Sequence, residues 1–81
     1  MWQKRIESNP HILGGRPCIK GRRIPVSNIL EELAEGQTFE EVMKYNGVSR
    51  EDIEACLKFA AGILEVYWEK FIARPEDIDN E

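Results

Sequence analysis

The fold is decided by residues 38–53, TFEEVMKYNGVSREDI, because this stretch carries two helix starts separated by one short turn. Thr38 and Ser49 are each followed three positions later by an acidic residue, the spacing of a capping box, in which a hydroxyl and a carboxylate satisfy free backbone amides. Asn46-Gly47 marks the end of the first helix, since glycine is favoured just beyond a helix C-terminus. The stretch therefore predicts two helices joined by a tight turn, the helix-turn-helix layout.

Helical patterns also lie on both sides of this stretch. Apolar residues recur on one helix face over 26–34, with Pro25 before them and Gly36 after them as start and stop signals. The helix that starts after Ser49 is predicted to continue to about Ile72, a length of roughly 36 Å. The three predicted helices form a core like that of many DNA-binding domains, although any small three-helix bundle shares this spacing.

The first 26 residues have a different composition. Glycine and proline are so frequent over residues 5–26 that a long helix is excluded, and the apolar residues between them are spaced for short extended pieces. Gly14-Gly15 and Lys20-Gly21 are the expected turns, because glycine adopts positive φ without steric cost. We therefore predict short β-strands or an extended arm before the helices.

The length of 81 residues is enough for one domain. We predict a mainly α, single helical domain over 1–74, whose N-terminal β or extended arm spans 1–26 and whose last helix is extended, followed by an acidic tail over 75–81. A chain this short buries a limited share of its surface, and folds of this size often gain stability from oligomerisation. A homodimer is therefore expected.

The net charge of −4 conceals a strong asymmetry. Residues 1–26 contain six Lys or Arg and one acidic residue, whereas residues 27–81 contain five Lys or Arg and fourteen acidic residues. Such segregation favours either a basic patch that faces an anionic partner or two oppositely charged halves that attract one another within a dimer.

Two features of the sequence bear on where the protein works. Cys18 and Cys56 are too few and too far apart for a secreted disulfide scaffold, and both are interpreted as reduced, buried thiols. No apolar run reaches the roughly 20 residues of a membrane span, and no signal-peptide core follows the N-terminal charges. We therefore expect a cytoplasmic protein without a membrane segment.

The start of the third helix is a poor surface for DNA. It carries Glu51, Asp52 and Glu54, and these carboxylates would be repelled by the phosphates whose neutralisation supplies much of the affinity. The better candidates for nucleic-acid contact are four basic residues of the N-terminal arm: Arg16, Lys20, Arg22 and Arg23. Alternatively, these four lie in a solvated loop or pair with acidic residues of a second subunit.

The end of the third helix is apolar on nearly all sides, because the apolar residues from Ile63 to Ile72 cover most of its circumference. Such a helix end is normally buried. In a chain this short we expect its cover to be a second subunit or a partner protein. The expected contact residues are Tyr67, Trp68, Phe71 and Ile72.

Little in the sequence favours catalysis. His11 is the only histidine, so no histidine pair exists to hold a metal ion. Arg16 and Lys20 lie close enough in sequence to lower the pKa of the Cys18 thiol, yet no base and orienting residue accompany it, and a buried thiol is the better interpretation. Residues 14–17 lack the spacing of a phosphate-binding loop. We predict a protein that is not an enzyme and that has no cofactor.

Residues 12–26, ILGGRPCIKGRRIPV, resemble the signature of a small bacterial family, domain of unknown function 433. The resemblance extends over roughly residues 5–62. This chain departs from the family's pattern at two places. Arg22 stands where a threonine is usual, which makes the patch more basic, and Asn46-Gly47 replaces the usual proline after Tyr45.

The resemblance implies a homeodomain-like helix-turn-helix core behind a short β-element. It also implies an antitoxin of a type II toxin–antitoxin pair, since such proteins are often encoded beside a PIN-like ribonuclease, dimerise and neutralise the toxin by contact. A PIN nuclease site is a cluster of metal-binding carboxylates, which an inserted arginine would block by charge pairing, and Arg74 is the candidate. The alternatives are a stand-alone regulator that binds double-stranded DNA, and a structural dimerisation module without nucleic acid.

Overall fold

The computed structural model describes residues 1–78, which are mostly helical with a small antiparallel sheet near the N-terminus. This architecture confirms the prediction of a mainly α chain that begins with a short β-element. The elements are a 3₁₀ helix Trp2–Arg5, β1 Ile6–Glu7, a 3₁₀ turn Leu13–Gly15, β2 Cys18–Ile19, β3 Ile24–Pro25, α1 Val26–Ala34, α2 Phe39–Asn46, α3 Arg50–Tyr67, a 3₁₀ helix Trp68–Phe71 and α4 Pro75–Ile78.

Both predicted capping boxes are present and set the starts of α2 and α3. The Thr38 hydroxyl accepts a hydrogen bond from the Glu41 backbone amide at 3.1 Å, and the Glu41 carboxylate accepts one from the Thr38 amide at 2.8 Å. Ser49 and Asp52 form the same pair of bonds at 3.1 and 3.0 Å. Gly47 ends α2 at φ 68°, which explains why glycine follows Asn46.

The sheet has the order β1-β2-β3, and both pairings are antiparallel. Ile19 in the central strand lies opposite Ile6 on one side and Ile24 on the other. β2 and β3 form a hairpin through a turn of four residues, Lys20 to Arg23, which is closed by a hydrogen bond from the Arg23 amide to the Ile19 carbonyl at 2.9 Å. Gly21 at φ 83° and Arg23 at φ 58° both adopt the left-handed conformation there.

The core lies between the sheet, α1, α2 and the first half of α3. Its fully or nearly buried members are Ile19, Val26, Ile29, Val42, Val48, Ile53 and Cys56, and partly buried apolar side chains pack around them. The apolar face predicted for α1 therefore supplies the centre of the core, although Ala34 at its end is exposed. Cys56 and Cys18 are both free and buried, as the sequence predicted.

The N-terminal 3₁₀ helix packs across α3, a contact that the sequence analysis missed. The Trp2 ring meets the Phe59 ring edge to face with their centroids 6.4 Å apart. The Arg5 guanidinium donates to the Asp52 carboxylate at 3.1 Å. These two contacts tie the first residues of the chain to the first half of α3.

The prediction that the third helix continues to about Ile72 was wrong. The α-helix ends at Tyr67, where φ −113° and ψ 11° leave the helical region, and the chain continues as the 3₁₀ helix Trp68–Phe71 before becoming extended at Ile72. Val66, Tyr67 and Trp68 are weaker helix formers than straight-chain residues, and their exposed side chains lack the packing that would offset this preference. Of the predicted tail over 75–81, the first part forms α4 and residues 79–81 lie outside the described residues.

Candidate binding surfaces

The apolar face of α3 continues beyond the elements that cover it. Ile53 and Cys56 in the first half of the helix are fully buried, whereas Ile63, Leu64 and Tyr67 in the second half are 46, 57 and 47% exposed. We call residues 61–72 the C-terminal arm. Its seven large, exposed apolar side chains are Ile63, Leu64, Val66, Tyr67, Trp68, Phe71 and Ile72.

An open apolar groove of about 630 Å³ runs along the side of α3 that faces α1. Val26 and Leu30 of α1 form one wall, and Phe59 and Ile63 of α3 form the other. The remaining lining residues are Arg16, Pro17, Ser27, Ala60, Leu64 and Phe71. Because Ile63, Leu64 and Phe71 belong to the arm, the groove and the arm form one continuous apolar surface.

The four predicted nucleic-acid contacts divide into two groups. Lys20, Arg22 and Arg23 share the exposed turn between β2 and β3. Arg16 instead lines the apolar groove, where its guanidinium donates to the Ser27 hydroxyl at 3.3 Å. The sequence-predicted basic patch is therefore a three-residue hairpin tip, with Arg16 on a different feature of the surface.

The hairpin tip lies beside the turn between α2 and α3. An Arg22 guanidinium nitrogen lies 3.9 Å from the position that a Cβ would take on Gly47, so this side chain reaches the C-terminal end of α2. A cation is favoured there, because the last carbonyls of a helix carry partial negative charge. Asn46, which with Gly47 replaces the usual proline after Tyr45, makes a contact of its own. Its side-chain amide donates to the Glu32 carboxylate at 2.7 Å and so links α2 to α1.

The start of α3 is acidic, and Asp52 there is held by hydrogen bonds. Burial tends to raise the pKa of Asp52, but the bonds from the Ser49 amide and the Arg5 guanidinium outweigh it and the pKa is lowered. Asp52 is thus a structural carboxylate. Glu51 and Glu54 are exposed on the same helix and leave this surface negative.

The predicted partner-binding residues are exposed at the end of α3 and in the 3₁₀ helix and extended residues that follow it. Tyr67, Trp68, Phe71 and Ile72 are all about half or more exposed. The Arg74 guanidinium lies 3.8 Å from the Glu76 carboxylate, and both side chains are mostly exposed. The Lys70 ammonium lies over the Tyr67 ring, 5.8 Å from its centroid. The segment from Tyr67 to Arg74 therefore presents aromatic, aliphatic and cationic groups to solvent.

The cysteines have the properties of core residues. Burial raises the pKa of Cys56 to about 11, and the nearby Asp52 charge adds to this. Burial also raises the pKa of Cys18, with a further rise from Glu7 and an opposing effect of Arg23.

Within residues 1–78, no group of three or more His, Cys, Asp or Glu residues is placed to hold a metal ion. In the same part of the chain, no helix combines the length and apolarity needed to cross a membrane.

The family model described as Protein of unknown function (DUF433) matches residues 6–60 of this chain. The chain belongs to this family. The match spans the sheet, α1, α2 and α3 as far as Ala60, and so includes most of the groove walls. No curated protein and no solved structure matches the chain.

The C-terminal arm lies beyond the DUF433 match, whereas most residues that line the groove lie within it. Sequence reasoning identified the arm, because its apolar residues cover most of the helix circumference, but missed the groove. Pro17, Leu30 and Phe59 come from three separate elements, and only the folded chain brings them together. The one available signal was that Phe59 and Ile63 continue the helix face of Ile53 and Cys56.

Proposed function

We propose that the protein is an antitoxin-like binding protein that inhibits a PIN-like ribonuclease by direct contact. The observation that carries the proposal is the exposed segment from Tyr67 to Arg74, in which large apolar side chains precede an arginine. Exposed apolar surface of this extent marks interaction sites. Aromatic residues and arginine also dominate the binding energy of protein interfaces.

Arg74 is the residue proposed to enter the nuclease site. Its contact with Glu76 spans 3.8 Å, and the two side chains are 76 and 66% exposed. An exposed ion pair of this kind contributes little stability. In a site from which water is excluded, the guanidinium could bind two carboxylate oxygens at once and compete with the catalytic metal ions.

The test is inhibition of PIN-like ribonucleases from the host of this protein. Arg74→Ala is expected to raise the concentration needed for half inhibition by about 30-fold, the effect of losing an interface hot spot. Lys70→Ala is the matched control, since it removes one positive charge from the same segment and is expected to inhibit normally. Full inhibition by the Arg74 variant, or failure of the unaltered protein to bind the nuclease, would refute the proposal.

A second candidate function is DNA binding by a homeodomain-like helix-turn-helix. It is favoured by the hairpin tip, where Lys20, Arg22 and Arg23 are exposed and form no ion pair with a carboxylate among residues 1–78. Arg22 also lies beside the turn between α2 and α3. Because Glu51 and Glu54 make the start of α3 negative, the hairpin tip is the surface proposed to contact phosphates.

This second function predicts a steep dependence on salt. Replacing Arg22 and Arg23 by alanine is expected to weaken duplex binding uniformly across sequences and to reduce the slope of log affinity against log salt by about 2. Lys58→Ala, on the exposed face of α3, serves as the control for loss of charge. A salt slope that the Arg22 and Arg23 double variant leaves unchanged would exclude the hairpin tip as the contact.

The third alternative, a dimerisation module without nucleic acid, requires no duplex binding at all.

A further inference from the structure

The C-terminal arm leaves the chain with an elongated shape. The Cα radius of gyration is 15.3 Å, against about 12 Å for a compact chain of this length. The longest dimension is 46 Å and the shortest is 23 Å. The arm exposes seven large apolar side chains, as many as the core cluster contains. The described residues thus leave a second apolar cluster largely uncovered.

The groove and the adjoining part of the arm are matched in chemistry. The groove walls are apolar, and Ile63, Leu64 and Phe71 extend them along the arm. The charged residues Lys58 and Glu65 stand on the opposite side of α3 by helical spacing and do not line the groove. Arg16 does line the groove, but it is exposed and donates to the Ser27 hydroxyl at 3.3 Å, so a helix face of this kind can pack against the apolar walls beside it.

The area available is sufficient for a dimer. Ile63, Leu64, Tyr67 and Phe71 are 46, 57, 47 and 73% exposed. At roughly 200 Å² for a fully exposed large side chain, these four present about 450 Å². The walls of the groove add to this area, which brings the patch towards the roughly 600 Å² per chain at which stable interfaces begin.

We propose that this groove is occupied by apolar side chains from the C-terminal arm of a second copy of the chain, namely Ile63, Leu64 and Phe71, while Trp68 and Ile72 stay outside it. Because the groove and the arm belong to one patch, each copy inserts its own arm into the groove of the other, as an isologous interface with two-fold symmetry requires. Leu64 and Ile63 then pack against Leu30 and Phe59 of the second copy. Arg16 lies at the edge of this interface.

The dimer interface overlaps the segment proposed to contact the nuclease at Tyr67 and Phe71 but not at the other residues of that segment. Trp68, Ile72 and Arg74 do not line the groove, whereas Leu64 and Phe71 do. Dimerisation therefore leaves Trp68, Ile72 and Arg74 outside its interface. It can be measured on the purified protein with no ribonuclease present, so the two proposals fail independently.

The first experiment is sedimentation equilibrium of the full chain between about 1 and 100 µM, where a dimer of standard affinity dissociates. A species of twice the 9.4 kDa chain mass is expected at the upper end. Leu64→Asp is expected to raise the dissociation constant at least about 100-fold, because it buries an unpaired carboxylate. Ile72→Asp is the matched control, since it adds the same charge to an exposed apolar residue outside the groove and is expected to leave the dimer intact.

A second measurement locates the interface. A photoreactive residue introduced at position 64 is expected to cross-link to the groove walls of the other copy, within residues 17–30 or 59–71. Mixing labelled and unlabelled chains distinguishes links between two copies from links within one copy, because only the former join a labelled to an unlabelled peptide. A chain that remains monomeric at about 100 µM would overturn the proposal. So would a dimer that Leu64→Asp leaves unchanged, or links between copies found only elsewhere. Circular dichroism of both aspartate variants checks that the fold persists, as expected for residues that are more than half exposed.

Discussion

The contact between Arg5 and Asp52 offers a sharp test of how the N-terminal segment is attached. In Asp52→Ala, the Ser49 amide loses its acceptor at 3.0 Å and the Arg5 guanidinium loses its partner at 3.1 Å. The capping bond is worth about 1 kcal/mol. The ion pair adds about 0.5 kcal/mol, because Arg5 is 44% exposed and solvent screens it. The sum of about 1.5 kcal/mol corresponds to a fall in Tm of about 6–12 °C for a domain of this size.

A double-mutant cycle separates the two contributions. Arg5→Ala alone is expected to cost about 0.5 kcal/mol, and adding it to Asp52→Ala is expected to cost nothing further through this pair. Glu54→Ala, which removes an exposed carboxylate from the same helix, is the control and is expected to stay within about 0.5 kcal/mol of the unaltered protein. Urea unfolding followed by circular dichroism measures all four variants. If the costs of Arg5→Ala and Asp52→Ala add in full, the ion pair contributes nothing and our account of the attachment is wrong.

The same carboxyl gives a pH dependence with a definite sign. The pKa of Asp52 is lower in the folded chain than in the unfolded chain. Its contribution is therefore complete above the unfolded value of about 3.9 and is lost as the pH falls through the folded value. The free energy of unfolding of the unaltered protein should consequently fall more between about pH 5 and pH 3 than that of Asp52→Asn. Equal slopes for the two proteins would contradict the assigned hydrogen bonds.

Three further predictions concern the core and the turn. Ile29→Ala, at a fully buried position, is expected to lower the free energy of unfolding by about 2–5 kcal/mol, as measured in urea. Gly47→Ala is expected to cost about 1 kcal/mol in the same assay because of the positive φ, since the added Cβ itself meets only the Arg22 side chain at 3.9 Å. Cys18 and Cys56 are expected to react with a thiol reagent at pH 8 only after unfolding, because both are buried and their pKa values are raised. Rapid labelling of either thiol in the folded protein would contradict its burial.

Local signals in the sequence predicted the helical part of the fold well. The capping residues Thr38 and Ser49 and the terminating Gly47 act within four positions along the chain, so their effect is readable without tertiary structure. The hairpin turn at Gly21 was readable for the same reason. The family match over residues 6–60 agrees with the resemblance that begins in the N-terminal motif.

The features that the sequence did not predict depend on distant contacts or on their absence. The helix starting after Ser49 was expected to reach Ile72, but Val66, Tyr67 and Trp68 remain about half or more exposed among the described residues, and the α-helix ends at Tyr67. The contact of Trp2 with Phe59 joins residues far apart in sequence, and no periodicity of apolar residues in the sequence indicates it. The groove was missed for the same reason. The four basic residues remain predicted nucleic-acid contacts. Only the folded hairpin shows that Arg16 lies apart from Lys20, Arg22 and Arg23.

The packing of Trp2 against Phe59 has a consequence for the order in which the chain folds during synthesis. The strands, the hairpin and α1 are complete once the first 34 residues have been made. The Trp2 ring cannot form its contact until Phe59 has been made, and the ribosome adds Phe59 57 residues after Trp2. At about 5–20 residues per second this delay is roughly 3–11 s. Throughout that interval the newly made N-terminal tryptophan lacks its packing partner, so a nascent chain that stalls before Phe59 is the form most exposed to chaperones and proteases.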